Sequence, residues 1–490
     1  MAQSARHQPS SPQHPAASAR HRANPARHPA ASPRHPAAPA RHLTTSRGAA
    51  LYIGALLGPG LLLLPGLAAA QAGPAAIVAW LAMLALSGLF AAVFSALGQR
   101  LPSADGVMGY VAAGLGTRAG LVTGWSFLAA VVTGAPTVCL IGASYITGLT
   151  GGGYLARAAA AAMLLLTVLA LATGGLRASA GAQLVLVGLL IGVVTVAVAD
   201  SAPAAHVANW TPFAPHGWPS IGRAATTLML SFVGWEAVAP LTTRFANPRR
   251  QLPRVVAAAL AATTALYLSL AIATTSVLGP AAATTVPLAD LLRRAIGPAG
   301  PAAAAAAAAV LTMGAINAYI TGAAAMARQL TQGQHAQGQY GQGQHGPGQH
   351  GRGQHAQSPA AAGRNPRPPV RLLAAIAAAG LLLITLYGLR LVSTVSLVVV
   401  PTALFLSVYL ASMAAAARAL RGPARVAAIP AALAVVVMLA YCGWALAIPA
   451  VVALAVTWHS GLRRRGRLEL APAGNRPGER AACRDFPEAA

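Results

Sequence analysis

Residues 54–74 read GALLGPGLLLLPGLAAAQAGP, and the interruption at their centre decides what kind of protein this is. The stretch is apolar enough for a membrane helix. Yet Leu56-Leu57-Gly58-Pro59-Gly60-Leu61 sets Gly-Pro-Gly in its middle, with Pro65-Gly66 just beyond. Proline has no N–H and disfavours helical backbone at the residue before it, so no continuous helix crosses residue 59. Backbone groups freed inside hydrocarbon find no water and carry a heavy desolvation cost. Such a break persists only where it lines a cavity or a binding site.

A second apolar stretch is interrupted in the same way. Ser231-Phe232-Val233-Gly234-Trp235-Glu236 has glycine in mid-span and a carboxylate two residues later. Taken singly, each glycine is explained by a kink or by close helix packing, as in the Gly54–Gly58 G-x-x-x-G pair. Taken together they open two five-helix blocks, residues 48–199 and 221–417. Interrupted helices at corresponding places in two halves mark a transporter's binding site.

The rest of the chain fits a membrane solvent. Its 490 residues are 56% hydrophobic and only 9% charged, with a mean hydropathy of +0.59. A soluble domain carries about 25% charged residues, so this chain lacks the polar cover that water requires. About 20 apolar residues cross a bilayer core, and stretches of that order lie at 48–71, 75–98, 119–148, 155–175, 180–199, 221–241, 254–278, 302–330, 371–388, 392–417, 424–441 and 443–461. The expected fold is an all-α membrane protein of about twelve spans.

The net charge of +26 comes from 34 basic residues, every one an arginine, against 8 acidic ones. Their placement argues against nucleic acid as a partner. With the N-terminus inside, inner connections hold Arg100, Arg118, Arg177, Arg244, Arg249, Arg250, Arg254, Arg364, Arg367, Arg371, Arg418, Arg421 and Arg425. Outer ones hold Arg157, Arg223, Arg293, Arg294 and Arg390. The positive-inside rule then places both termini in the cytoplasm, as for a multi-pass protein of the cell (inner) membrane.

Three segments stand outside the spans. Residues 1–46, with His7, His14, His21, His28, His35 and His42 at seven-residue spacing, hold too many prolines for a helix and are expected to be a disordered cytoplasmic tail. The low-complexity segment 331–370 is expected to be a cytoplasmic loop, and 462–490 a second tail. Cys139, Cys442 and Cys483 form no metal-ligand spacing, and the histidine repeats, which could bind metal, are read instead as low-complexity drift, so neither metal nor cofactor is expected. No P-loop or H-E-x-x-H motif occurs, which disfavours an enzyme.

On these spans Glu236 alone among the acids lies inside the membrane. Intramembrane carboxylates cost about 2.5–3.5 kcal/mol on insertion scales and are functional candidates for that reason; the bland alternative is a helix end in a water layer. The half-helix after Gly58 presents free amides and a positive dipole end, which suit a carboxylate. Unwound carbonyls near Leu56, Leu230 and Val233 suit an ammonium. An α-amino acid is thus a natural ligand, although other small charged molecules are not excluded. The readings left open are an amino-acid transporter, a same-fold carrier of another small amine or organic cation, and a non-transporting membrane sensor.

At these residues the chain resembles the amino acid/polyamine/organocation permeases. The resemblance rests on residues 54–74, on LGQRLPSADGVMGYVAAGLGTRAGLVTGWSFL at 97–128, and on SFVGWEAVAPLTTRFANPRRQLPRVV at 231–256, and covers about 47–460. Within that family it is similar to bacterial exporters of methionine and branched-chain amino acids. The resemblance implies a LeuT-type fold of five-plus-five inverted repeats (48–199 and 221–417) with two added helices at 424–461, together forming a transporter domain at 47–461. It implies substrate contacts at Leu56, Gly58, Gly60, Leu61, Leu230, Phe232, Val233 and Gly234, gating by Phe232 and Trp235, and proton coupling through Glu236. It also implies a short re-entrant segment within 99–118, and transport by proton-coupled alternating access, with export or antiport among its modes. Two features depart from the family. Pro59 stands where a small hydroxyl or similar residue is usual, leaving Gly60 and Leu61 as amide donors, and the span 180–199 has no lysine.

Overall fold

The computed structural model describes residues 43–58, 60–101, 106–173, 180–236, 242, 245–339 and 369–469. These are helical throughout except for connections and one isolated bridge between Leu43 and Phe245. The helices in chain order are α1 (Thr45–Leu56), α2 (Gly60–Ala72), α3 (Ala76–Arg100), α4 (Gly106–Leu115), α5 (Thr117–Thr150), α6 (Tyr154–Thr173) and α7 (Ala180–Ser201). After them come α8 (Pro219–Phe232), α9 (Pro248–Leu278), α10 (Pro287–Ile296), α11 (Gly300–Gln339), α12 (Val370–Gly388), α13 (Thr394–Ala419), α14 (Pro423–Tyr441) and α15 (Ala447–Glu469).

Among the described residues, ten helical stretches are long and apolar enough to cross a membrane. The count falls below twelve because the interrupted segments give short helices. The expected span 48–71 is split into α1 and α2, of 12 and 13 residues. The expected span 221–241 yields α8, whose 14 residues end at Phe232, and 237–241 lie outside the described residues. Three expected boundaries also move. Leu43 already pairs with Phe245 and α1 begins at Thr45, inside the segment assigned to the tail. The helix α11 runs on to Gln339 and α15 to Glu469, since extending a formed helix fixes only one residue per added bond. The repeat-bearing segment 1–42, most of the 331–370 loop and 470–490 lie outside the described residues.

The connections sort into two ends. At one, the N–H of Ala75 donates to the carbonyl of Phe213 and the Asn209 amide to that of Ser276, while Arg157 donates to the Tyr387 hydroxyl at 3.0 Å. Arg390 stacks on Tyr154 at the same end. At the other, Leu43 meets Phe245 and Gln251, and Arg100 reaches the Arg421 carbonyl.

Small residues let these helices approach. A Cβ at Gly114 of α4 would lie 2.7 Å from backbone atoms of Ala415 on α13, and one at Gly66 of α2 would overlap the Thr284 carbonyl before α10. Lipid offers no hydrophobic drive between helices, so close backbone contact and buried hydrogen bonds carry this packing.

Candidate functional site

Both interruptions have local causes. Leu57 leaves helical geometry at φ −80°, ψ 72°, ahead of a Gly58 that Pro59 biases away from helix; Pro59 itself lies outside the described residues. At the second, Val233 is extended at ψ 133° and Gly234 takes φ +147°, which side chains rarely permit.

The two breaks lie on each other. A Cβ on Gly60, at the start of α2, would stand 2.5 Å from Ser231 Oγ and 3.2 Å from Ser231 Cα near the end of α8. A Cβ on Gly234 would stand 2.6 Å from the Ala55 carbonyl oxygen and 3.3 Å from Leu56 Cα. Each glycine is therefore a seat for the partner helix. Gly234→Ala is expected to destabilise the fold by about 1–3 kcal/mol from backbone strain alone, with the clash in addition, read as a lower melting temperature in detergent.

The structure brings Leu56, Gly60, Leu61, Leu230, Phe232, Val233, Gly234, Trp235 and Glu236 together as buried residues around this crossing. Gly58 is half-buried, and a Cβ added there meets no atom of the described residues within 4 Å, so space opens beside it among them. The wall is otherwise apolar.

Tyrosines that sequence reasoning missed occupy the freed backbone. The Tyr267 hydroxyl on α9 lies 2.7 Å from the Leu56 carbonyl and 2.8 Å from the Ser231 carbonyl, one from each interrupted segment. The Leu56 carbonyl also accepts the Gly58 N–H at 2.9 Å, and the Leu61 N–H donates to Gly58 at 3.2 Å. The groups expected to stand free at Leu56 and Leu61 are thus already engaged in this conformation. On α13, the Tyr409 hydroxyl donates to Glu236 Oε2 and lies 3.3 Å from the Phe232 carbonyl. The N–H of Gly234 donates to the same Oε2 at 2.9 Å. Among the described residues, Glu236 Oε1 and Ser231 Oγ are buried with no hydrogen-bond partner.

The aromatics expected to gate are packed. Phe232 lies between Trp80 of α3 and Tyr267, with centroids at 6.0 and 5.2 Å. Trp235 donates to Ser87 Oγ at 3.0 Å and meets the Tyr52 ring edge-on. A signal for Tyr267 and Tyr409 was present in the sequence: a phenol inside an apolar span must find a polar partner. Which partner it finds depends on the fold.

Among the described residues no group of three potential metal ligands occurs. Two interrupted helices crossing at their freed backbone, in an all-helical membrane protein, define a transporter of the discontinuous-helix class. The family model described as "Amino acid permease" matches residues 43–333. The chain belongs to that amino acid permease family. It is 30% identical over 417 residues to "Uncharacterized amino acid permease YecA" of Bacillus subtilis (strain 168), covering 84% of this chain and 94% of the relative. It is 33% identical over 218 residues to "L-methionine/branched-chain amino acid exporter YjeH" of Escherichia coli (strain K12), covering 44% of this chain and 51% of the exporter. It is 25% identical over 245 residues to "Methylthioribose transporter" of Bacillus subtilis (strain 168), covering 46% of this chain and 53% of that relative. Relatives with different printed substrates thus match at similar levels, and specificity must be argued from the site.

Proposed function

We propose that this permease is a secondary active transporter of neutral, apolar amino acids across the cytoplasmic membrane, coupled to protons through Glu236 and working by alternating access. The observation that carries the reading is the crossing itself: two broken helices, an apolar wall of Leu56, Leu61, Leu230, Phe232 and Val233, and the one buried carboxylate among the described residues. The carboxylate of the substrate lies at the start of α2, beside the space at Gly58, and its ammonium lies at the Leu56 and Ser231 carbonyls. Its side chain meets the apolar wall. No acidic partner for a cationic side chain stands among the described residues of the crossing apart from Glu236, which disfavours arginine, lysine and polyamines.

The five-plus-five repeat is supported by the order of helices in the two halves. A broken segment (α1–α2, and α8 with the turn at 233–236) is followed by a long helix (α3, α9), a 10-residue helix (α4, α10), a second long helix (α5, α11) and two more (α6–α7, α12–α13). Five crossings per half put the second half in the membrane upside down. With α14 and α15 added, the count is twelve spans and both termini share the arginine-rich, cytoplasmic side. Phe232, held by aromatic contacts and not by a hydrogen bond, is the residue suited to gate; Trp235 is the anchored neighbour.

The test is purified protein in proton-tight liposomes with labelled leucine and methionine, with and without a pH gradient. Flux that follows the gradient is expected. Folded protein that carries neither substrate overturns the reading.

A further inference from the structure

The Tyr267 hydroxyl holds one proton and lies within hydrogen-bond distance of two buried carbonyls, one from each interrupted segment. It cannot satisfy both fully at once. The ring is fully enclosed, 1% exposed, with Trp80 at 5.4 Å and Phe232 at 5.2 Å. Its hydroxyl is therefore held at the crossing by packing, on the backbone oxygens that suit a substrate ammonium.

We propose that Tyr267 is the resident occupant of the ammonium seat: it caps the Leu56 and Ser231 carbonyls in the empty carrier, and the arriving ammonium displaces its proton from them. This rests on the amino-acid reading given above. An ammonium carries three donors and serves both carbonyls at once, where the phenol serves them with one. Release of substrate in turn returns the phenol, so that the crossing is never left with bare carbonyls in a dry interior, an arrangement that carries a heavy desolvation cost. The phenol thus weakens binding and speeds release. It also links occupancy to gating, because the ring that carries the displaced proton packs on Phe232 of the second break and on Trp80 of α3. The role is one of positioning and competition, not of contact with the transported carboxylate.

The consequence has an uncommon sign. Tyr267→Phe keeps the ring and its stacking but removes the competitor, so the empty site leaves the Ser231 carbonyl uncapped and the Leu56 carbonyl on the Gly58 N–H alone, and gains more from an ammonium. The dissociation constant for leucine, measured by isothermal titration on purified protein, is expected to fall about tenfold, equivalent to 1.4 kcal/mol. The maximal rate of leucine exchange in liposomes is expected to fall by a similar factor, since release now leaves the carbonyls uncapped. A residue that merely supports the fold would weaken binding when altered. Unchanged or weaker binding of leucine by Tyr267→Phe, with wild-type binding intact, overturns the proposal while leaving the transport reading standing. Failure of the wild-type protein to bind leucine or methionine overturns the transport reading and this proposal with it. Should Tyr267→Phe not fold, leucine-induced change in Trp80 fluorescence, identified by its loss in Trp80→Phe, replaces it as the measurement. Absence of that change overturns displacement.

Discussion

Glu236→Gln is expected to leave leucine exchange within about threefold of wild type while abolishing the response of net flux to a pH gradient. The geometry gives both halves of the result. Oε2 is held by the Gly234 N–H and the Tyr409 hydroxyl, and a glutamine carbonyl accepts the same two bonds. The fold of the second break is thereby kept. Among the described residues Oε1 has no partner, and under the proposed coupling it is the position left for a transported proton. A glutamine amide there can neither gain nor lose one. With one proton moved per substrate, a gradient of one pH unit supports about tenfold accumulation, and the variant is expected to show none. An unchanged gradient response removes Glu236 from coupling and returns the search to other groups at the crossing. Tyr409→Phe complements the test, because it removes one of the two donors while leaving the carboxylate in place.

The second large effect separates two glycines that are two positions apart. Gly60→Val is expected to lose leucine binding together with much of the protein's thermal stability, since Ser231 Oγ and Cα stand 2.5 and 3.2 Å from the added Cβ. Overpacking of this kind costs about 1–3 kcal/mol or more. The variant therefore tests the α2–α8 contact as well as the ligand, and is no clean probe of a carboxylate seat. Gly58→Ala is the cleaner one. Its Cβ meets no atom within 4 Å, so the melting temperature of the empty protein is expected to stay within about 2 °C of wild type, a shift corresponding to well under 1 kcal/mol. The methyl enters the space assigned to the substrate, and leucine affinity is expected to fall by roughly tenfold or more. Normal affinity in Gly58→Ala would place the carboxylate elsewhere than beside this glycine.

Much of this molecule was legible in the chain because lipid makes the code simple. Charge poverty and apolar stretches of membrane length require helices, since hydrocarbon offers the backbone no other partner. Gly58-Pro59-Gly60 announced its own break, and Gly234 with Glu236 announced the second; local chemistry is enough for that. The helices also ran past the expected boundaries, to Gln339 and Glu469, because the residues there do not by themselves stop a helix.

What the sequence could not give was the partner of each freed group. Nothing in the spacing of Tyr267, 211 residues from Leu56 and 36 from Ser231, says that its hydroxyl stands on both. Nor does the sequence say that Tyr409 reaches Glu236 across 173 residues, or that Gly60 and Gly234 are the seats on which the two breaks rest. Local sequence decided where the helices fail, because proline and glycine act on their own backbone. Only the tertiary structure decided what takes up the carbonyls and amides so released, because a hydrogen bond between distant elements depends on how α1, α2, α8, α9 and α13 pack, and that packing is a property of all of them together.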